Sequence, residues 1–276
     1  MGHWPMAPFP VLIGLAVGVV VGLTSTGGGA LLTPALVLLL GVPPATAVGS
    51  DVFIGAAMKL FGGGVYATRG AVHWATAIRL ATGSIPGATV GLLLLSLLPQ
   101  GVLDAVLRRG LGGVLVVVSA LMLWRLWQRS QDVQRPMPTR RLIVVLGFFT
   151  GLLVSTTSVG SGTIVLAALQ SLFPLSAPVV VGTDLIHALF LSSFATVGHL
   201  IAGRVNVPLA STVLLGAIPG VLLGARIATV IAERPLRLVL ALVIMTAGLH
   251  LAISSSPASA GSPGQTVAPA AAGPQP

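Results

Sequence analysis

Asp51 and Asp184, two of only five acidic residues in 276, sit in the motifs Gly49-Ser50-Asp51 and Gly182-Thr183-Asp184, each inside a long apolar run. An ionisable side chain near the centre of a membrane helix costs at least about 2.5–3.5 kcal/mol and is a functional candidate by default. The chemistry such a pair suits is carriage of a coupling ion. The plainer reading is an acid favoured by the dipole at a helix N-terminus, since Asp51 lies only about 8 Å of helical rise past Thr46. Lys59, the sole lysine, follows two turns after Asp51 on nearly the same face. It is about 20 Å along the helix from Thr46, too deep to snorkel easily, and can neutralise an anion or pair with an acid. His187, one turn after Asp184, fits a proton-relay partner. His73 and His199 fall towards segment ends and are assigned to the interface. No third ligand accompanies these His and Asp residues and no nucleophile–base pair is present, so no metal, cofactor or catalytic residue is expected.

The second feature is a polar break, Thr24-Ser25-Thr26-Gly27-Gly28-Gly29, between the apolar runs Val11–Leu23 and Ala30–Leu40. Each run is shorter than the roughly 20 residues a spanning helix needs. Irregular backbone at membrane depth must line a cavity or be buried in protein, because unpaired N–H and C=O groups are costly there. A half-helix starting at Ala30 would aim free N–H groups and about half a positive charge at the break, which suits an anion, while Thr and Ser hydroxyls add donors. The plainer reading is close helix packing through small residues. The break returns 133 residues later as Thr157-Ser158-Val159-Gly160-Ser161-Gly162. Thr24, Ser25, Thr26, Gly27, Gly28, Gly29, Thr157, Ser158, Gly160, Ser161 and Gly162, with Lys59, are therefore the candidate substrate-binding residues. Asp51, Asp184 and His187 are the candidate ion-coupling residues.

The elements that must position these groups are membrane helices. The chain is 55% hydrophobic and 7% charged, against about 25% charge in a soluble domain. The basic residues stand at segment ends, so the net charge of +9 reads as topology signal rather than nucleic-acid binding. The absence of cysteine removes disulfides and thiolate metal sites. Met1-Gly2-His3-Trp4-Pro5 lacks the basic start of a signal peptide. Eight hydrophobic segments follow, at 10–41 (broken at 24–29), 45–68, 71–98, 102–128, 142–173 (broken at 155–162), 177–202, 205–232 and 235–253. Trp74, Trp124 and Trp127 fall at expected interfaces.

Sliding residues 14–91 onto 147–224 needs no gap and aligns Gly49/Gly182, Asp51/Asp184, Gly70/Gly203 and Ile85-Pro86-Gly87/Ile218-Pro219-Gly220 as well as the breaks. The chain is an internal duplication, the plan of secondary transporters. The fold class expected is an all-α polytopic membrane protein of two tandem, inverted repeats, the first segment of each broken or re-entrant. Its parts are an N-terminal tail (1–9), repeat 1 (10–128), a cytoplasmic Arg-rich link (129–141), repeat 2 (142–253) and a disordered tail (254–276). Arginine placement favours inversion. With re-entrant first segments, Arg69, Arg79, Arg226, Arg234 and Arg237 join the link arginines on one side, leaving Arg108, Arg109 and Arg204 opposite. Spanning first segments would make repeats parallel and split the arginines more evenly. In the inverted arrangement both termini face outwards.

At Val48-Gly49-Ser50-Asp51 leading to Lys59, Gly83-Ser84-Ile85-Pro86-Gly87, Val181-Gly182-Thr183-Asp184-Leu185-Ile186-His187 and the broken glycine segment, the chain resembles the sulfite exporter TauE/SafE family of bacterial membrane permeases, over essentially 10–253. Many members carry Gly-Thr-Ser where this chain has an acid. The resemblance implies a multi-pass protein of the bacterial inner membrane that exports sulfite, an organosulfonate or a related small sulfur oxyanion. The partners expected are a small sulfite-like anion, H⁺ as coupling ion, the lipid bilayer and a second copy in a homodimer. Two other readings are a transporter of another small anion, such as a carboxylate, and a non-transporting scaffold or accessory subunit.

Overall fold

The computed structural model describes residues 8–24, 28–127, 137–160, 162, 164–227 and 233–253. The expectations for Ser25, Thr26, Gly27, Ser161, most of the link and the C-terminal tail lie outside them. Among the described residues the regular structure is all α-helix, in ten helices: α1 Pro8–Thr24, α2 Gly29–Leu39, α3 Pro44–Thr68, α4 Trp74–Leu97, α5 Gln100–Trp127, α6 Arg140–Thr157, α7 Ile164–Leu172, α8 Ala177–Ile201, α9 Val207–Ile227 and α10 Glu233–Ile253. Six carry a stretch long and apolar enough to cross a membrane: Pro44–Thr68, Trp74–Leu97, Val102–Trp124, Arg140–Thr157, Ala177–Ile201 and Val207–Gly224. The apolar stretches Pro8–Leu23, Gly29–Leu39 and Leu238–Ile253 are shorter. The first and fifth apolar segments are each two helices, α1–α2 and α6–α7, separated at the polar breaks.

Helix starts recur with the sequence offset. Pro44 and Ala177, Trp74 and Val207, and Gln100 and Glu233 open α3/α8, α4/α9 and α5/α10, each 133 residues apart. The turns between them end alike, with Gly70 and Gly203 at φ +67° and +66°, a left-handed conformation that glycine adopts without a Cβ clash.

The halves interlock. A Cβ on Gly83 of α4 would fall 2.0 Å from the Val144 carbonyl oxygen of α6, and one on Gly216 of α9 would fall 1.9 Å from that of Val11 in α1. Gly87 meets Phe148 and Gly220 meets Leu15 one turn further along. Each repeat thus lends its first helix to the fourth helix of the other, in parallel, with backbones close enough that no side chain fits between. This is the packing that small residues allow in lipid. It assigns the Ile-Pro-Gly motifs to helix contact. Gly83→Val or Gly216→Val is expected to cost at least about 1–3 kcal/mol through overpacking, read as a lower unfolding temperature in detergent.

At the centre α3 crosses α8 in opposite directions. Gly49 lies against Arg204, Gly63 against Ile186, and Gly182 against Ala71. The α5–α10 pair is also antiparallel, since Gly112 packs on Ala252 and Ser119 hydrogen-bonds Met245. The course of α4 follows α8, because His73, Ser84 and Leu92 meet Thr183, His187 and Gly198 in turn. As α6 follows α4, it runs in the same direction as α8, and α7 must return between them. In the first half α1 likewise follows α9, and α2 returns.

Large apolar side chains such as Leu60, Phe61, Leu93, Leu94 and Leu97 face outwards, as do Trp74 at the start of α4 and Trp127 at the end of α5. Asp104 of α5 has a role that sequence alone did not reveal. Its carboxylate accepts the Ala45 N–H at 3.0 Å, satisfying a free donor in the first turn of α3.

Candidate functional site

The two breaks come together. Gly28 precedes α2, and its carbonyl accepts from Leu31 and Leu32 N–H at 3.0 and 2.8 Å. The N–H groups ahead of Leu31 have no such partner within the helix. A Cβ on Gly29 would lie 1.9 Å from the carbonyl oxygen of Ser158, the residue that ends α6. Only glycine lets the first break reach the second here. Ser158 itself is left-handed at φ +62°, the one non-glycine residue so placed among those described, and Gly160 follows at φ +119°. Thr157 spends its hydroxyl locally: it donates to Leu153 O at 2.8 Å and accepts from Val159 N–H at 3.3 Å. These bonds shape the break. Gly162 is buried, and the helix after it starts at Ile164, whose N–H bonds Gly160 O at 3.1 Å.

The Gly-Ser/Thr-Asp motifs divide their labour. Ser50 Oγ accepts the Asn206 N–H at 3.0 Å, and Thr183 Oγ1 accepts the His73 N–H at 2.9 Å. The glycines beside them let the Arg204 and Ala71 carbonyls approach within 2.4 and 1.9 Å of where a Cβ would stand. Glycine and hydroxyl therefore lock each motif to the turn entering the other half's fourth helix, and only the acid is left for the interior.

The acids are not equivalent. Asp51, 1% exposed, accepts a hydrogen bond from the Thr33 hydroxyl of α2 and also interacts with Ser158. Asp184, 2% exposed, has no hydrogen-bond donor to its Oδ1 among the described residues. Its counterpart to Thr33 is Leu166. The charge acting on it is Lys59. Lys59 donates from Nζ to Ser192 Oγ at 2.9 Å, and its charge acts on both acids. Lys59 and Asp51 each meet a hydroxyl, Ser192 on the lysine and Thr33 on the acid. Lys59 and Ser192 are equivalent positions of the duplication. Equivalent residues can touch only where the two halves cross, so the one lysine sits at the pseudo-symmetric centre.

His187, fully buried, turns Nε2 to the Ser84 hydroxyl at 3.1 Å, while its Nδ1 has no partner among the described residues. Its close contact is thus the Gly-Ser-Ile-Pro-Gly motif of α4, with Lys59 the charge that acts on it. His199 corrects the assignment to the interface. It is 0% exposed and donates Nε2–H to the Ser155 carbonyl at 2.9 Å, tying α8 to the last turn of α6. His73 does lie at a helix start, where Nδ1 takes the Thr76 hydroxyl at 2.8 Å and caps α4. No group of three metal-ligating side chains occurs among the described residues.

Thr33, Ser84 and Ser192 were not among the candidate residues. Each is a lone hydroxyl in an apolar run, and only the fold shows which charge it faces. Ser192 alone carried a signal, its equivalence to Lys59.

A family model described as "Sulfite exporter TauE/SafE" matches residues 11–251. The chain belongs to that family. It is 36% identical over 249 residues to the "Probable membrane transporter protein YjnA" of Bacillus subtilis (strain 168), covering 87% of this chain and 98% of that protein. It is 25% identical over 244 residues to the "Probable membrane transporter protein YdhB" of the same organism, again covering 87% and 98%. A "Probable membrane transporter protein" of Xylella fastidiosa (strain Temecula1 / ATCC 700964) is 29% identical over 115 residues, 42% of this chain and 43% of that one. No solved structure matches. The TauE/SafE match and the six long apolar helices make this a multi-pass membrane protein.

Proposed function

We propose that this TauE/SafE protein exports a small sulfur oxyanion, sulfite or an organosulfonate, across the bacterial inner membrane, coupled to H⁺. The observation that carries the reading is the buried charge set at the crossing of α3 and α8. Lys59 lies there with its charge acting on both acids, and Asp51 also interacts with Ser158, where the two glycine breaks meet. A packing scaffold has no use for an ammonium and two carboxylates at that depth, where each is costly. The family description supplies the sulfur oxyanion. The proposed site is formed by the residues around Gly28, Gly29 and Ser158 with Lys59, and by Ser25, Thr26, Gly27 and Ser161 of the same breaks. Coupling falls to Asp51, Asp184 and His187.

We further propose that the repeats are inverted in the membrane. The opposite courses of α3 and α8, and the return of α2 and α7 between helices of like direction, support this arrangement. It puts the link in the cytoplasm and the C-terminus outside. A C-terminal alkaline phosphatase fusion is expected to be active; an inactive fusion, with a fluorescent one lit in the cytoplasm, would refute inversion.

The deciding experiment is sulfite flux in proteoliposomes with and without a pH gradient. Ser158→Ala should weaken sulfite binding roughly 10- to 150-fold, the worth of a hydrogen bond to a charged group at about 1.5–3 kcal/mol. Unchanged affinity would return the breaks to helix packing. Absence of flux for any small anion would leave the scaffold reading standing.

A further inference from the structure

Beyond Lys59 a line of polar side chains continues in one direction only. Ser192 accepts the lysine's hydrogen bond, and Thr196 and His199 follow four and three residues later. At about 100° per residue these three share one face of α8. Their exposures are 1%, 8% and 0%, and Arg204 stands just past the helix end, half-buried. Thr196 Oγ1, His199 Nδ1 and Arg204 Nη1 all lack a hydrogen-bond partner among the described residues. Their neighbouring capacity is spent: His199 Nε2–H on Ser155 O, and Arg204 Nη2 on Leu95 O at 2.9 Å. Arg204 is near enough for its charge to act on the His199 ring. Buried polar atoms are ordinarily satisfied, so three open ones in series indicate a polar occupant.

The capacities on offer define it. The guanidinium donates and carries charge, and the hydroxyl donates or accepts. With its proton on Nε2, as the Ser155 contact requires, the imidazole accepts at Nδ1. A hydrated oxyanion fits this set, its oxygens towards Arg204 and Thr196, and its water or its own O–H towards His199. On the other side of Lys59 the line stops. The positions of the first half equivalent to Thr196, His199 and Arg204 are Gly63 and Tyr66 of α3 and Ala71 just past its end. Ile186 closes over Gly63, within 3.2 Å of where its Cβ would stand, and packs with Val72 and Ala77.

We propose that Ser192, Thr196, His199 and Arg204 line an entry path for a hydrated small oxyanion, leading from the membrane face opposite the link to Lys59. The side follows from helix direction: α6 starts at the link, and α8 runs the same way, so its end with Arg204 lies at the far face. The path rests on the transporter reading above.

The chain has no cysteine, so single cysteines report without background. Thr196→Cys is compared with Val197→Cys, which is 56% exposed on the outer face of the same turn. A membrane-impermeant anionic thiosulfonate is added to one side at a time, and a protease site in the link marks the link's side. Thr196→Cys is expected to react only from the side opposite the link, and faster than Val197→Cys. Adding Arg204→Gln should lower the anionic reagent's rate about tenfold relative to a cationic reagent of equal size, the local enrichment one charged mouth gives. Arg204→Lys, which keeps the charge, should preserve the ratio, and Arg204→Met removes the charge in its place if the Gln variant does not fold. Reaction no faster than Val197→Cys, reaction from the link side, or a ratio unmoved by loss of the Arg204 charge would each overturn the path. Failure of sulfite to protect Thr196→Cys, with the other results as expected, would uphold the path and count instead against sulfite as the substrate.

Discussion

Lys59→Met is expected to abolish binding of a divalent oxyanion. The lysine is 9% exposed, sits where α3 and α8 cross beside Ser192, and is the charge that offsets both Asp51 and Asp184. Its contact with an anion is worth about 1.5–3 kcal/mol, roughly 10- to 150-fold in affinity. Methionine keeps the length and apolar stem but leaves two buried carboxylates facing the incoming charge, and that repulsion adds to the lost contact. Lys59→Arg keeps the charge in a wider, planar head that must still reach Ser192, so reduced transport is the expected outcome there. The measurement is equilibrium binding of labelled sulfite to purified protein, beside an unfolding curve. Wild-type binding by a folded Met variant would remove Lys59 from the site.

Much of this arrangement was legible because the sequence states it twice. The offset of 133 residues locates helix starts, the Gly-Ser/Thr-Asp motifs and the breaks, and hydropathy supplies the segments. What stayed hidden was the way the two copies interlock. Nothing in the order of residues says that α1 lies on α9 or α6 on α4: the glycines at four-residue spacing, such as Gly83 and Gly87 or Gly216 and Gly220, mark faces that can pack closely but not which face meets which. The same limit misassigned His199. A histidine near a helix end reads as interfacial, yet the last turn of α6 covers it and accepts its Nε2–H hydrogen bond. It also blurred Gly49-Ser50-Asp51, which reads as one functional unit but holds two packing residues and one acid. The Lys59–Ser192 contact is the opposite case. In a duplication whose central helices cross antiparallel, some equivalent pair must meet, and the pair in which one copy is charged and the other is a hydroxyl is visible in the alignment.

Asp184→Asn is expected to leave anion binding intact and to remove the response of transport to a pH gradient. The two acids share a slot in the duplication but not an environment. Asp51 has the Thr33 hydroxyl and Ser158 to support its negative charge, whereas the second half has Leu166 at the position of that threonine and Asp184 Oδ1 has no donor among the described residues. With both acids ionised, the single positive charge of Lys59 leaves the centre at net −1, which repels an anion. A proton on Asp184 brings it to zero, so arrival of the anion and arrival of the proton favour one another. Linkage makes that coupling reciprocal. Asparagine mimics the protonated acid in shape and charge, so the variant should bind the anion without waiting for the proton, leaving downhill flux or exchange. Asp51→Asn should behave differently. It takes away the carboxylate charge nearest the first break and leaves Lys59 only partly compensated, a loss of up to about 3–5 kcal/mol for a broken buried charge set, read as poor yield or a lowered unfolding temperature. The experiment is sulfite flux against an imposed pH gradient for wild type and both variants in liposomes of equal protein content. A wild-type gradient response in Asp184→Asn would take proton coupling away from this residue, and flux driven by Na⁺ alone would take it away from H⁺.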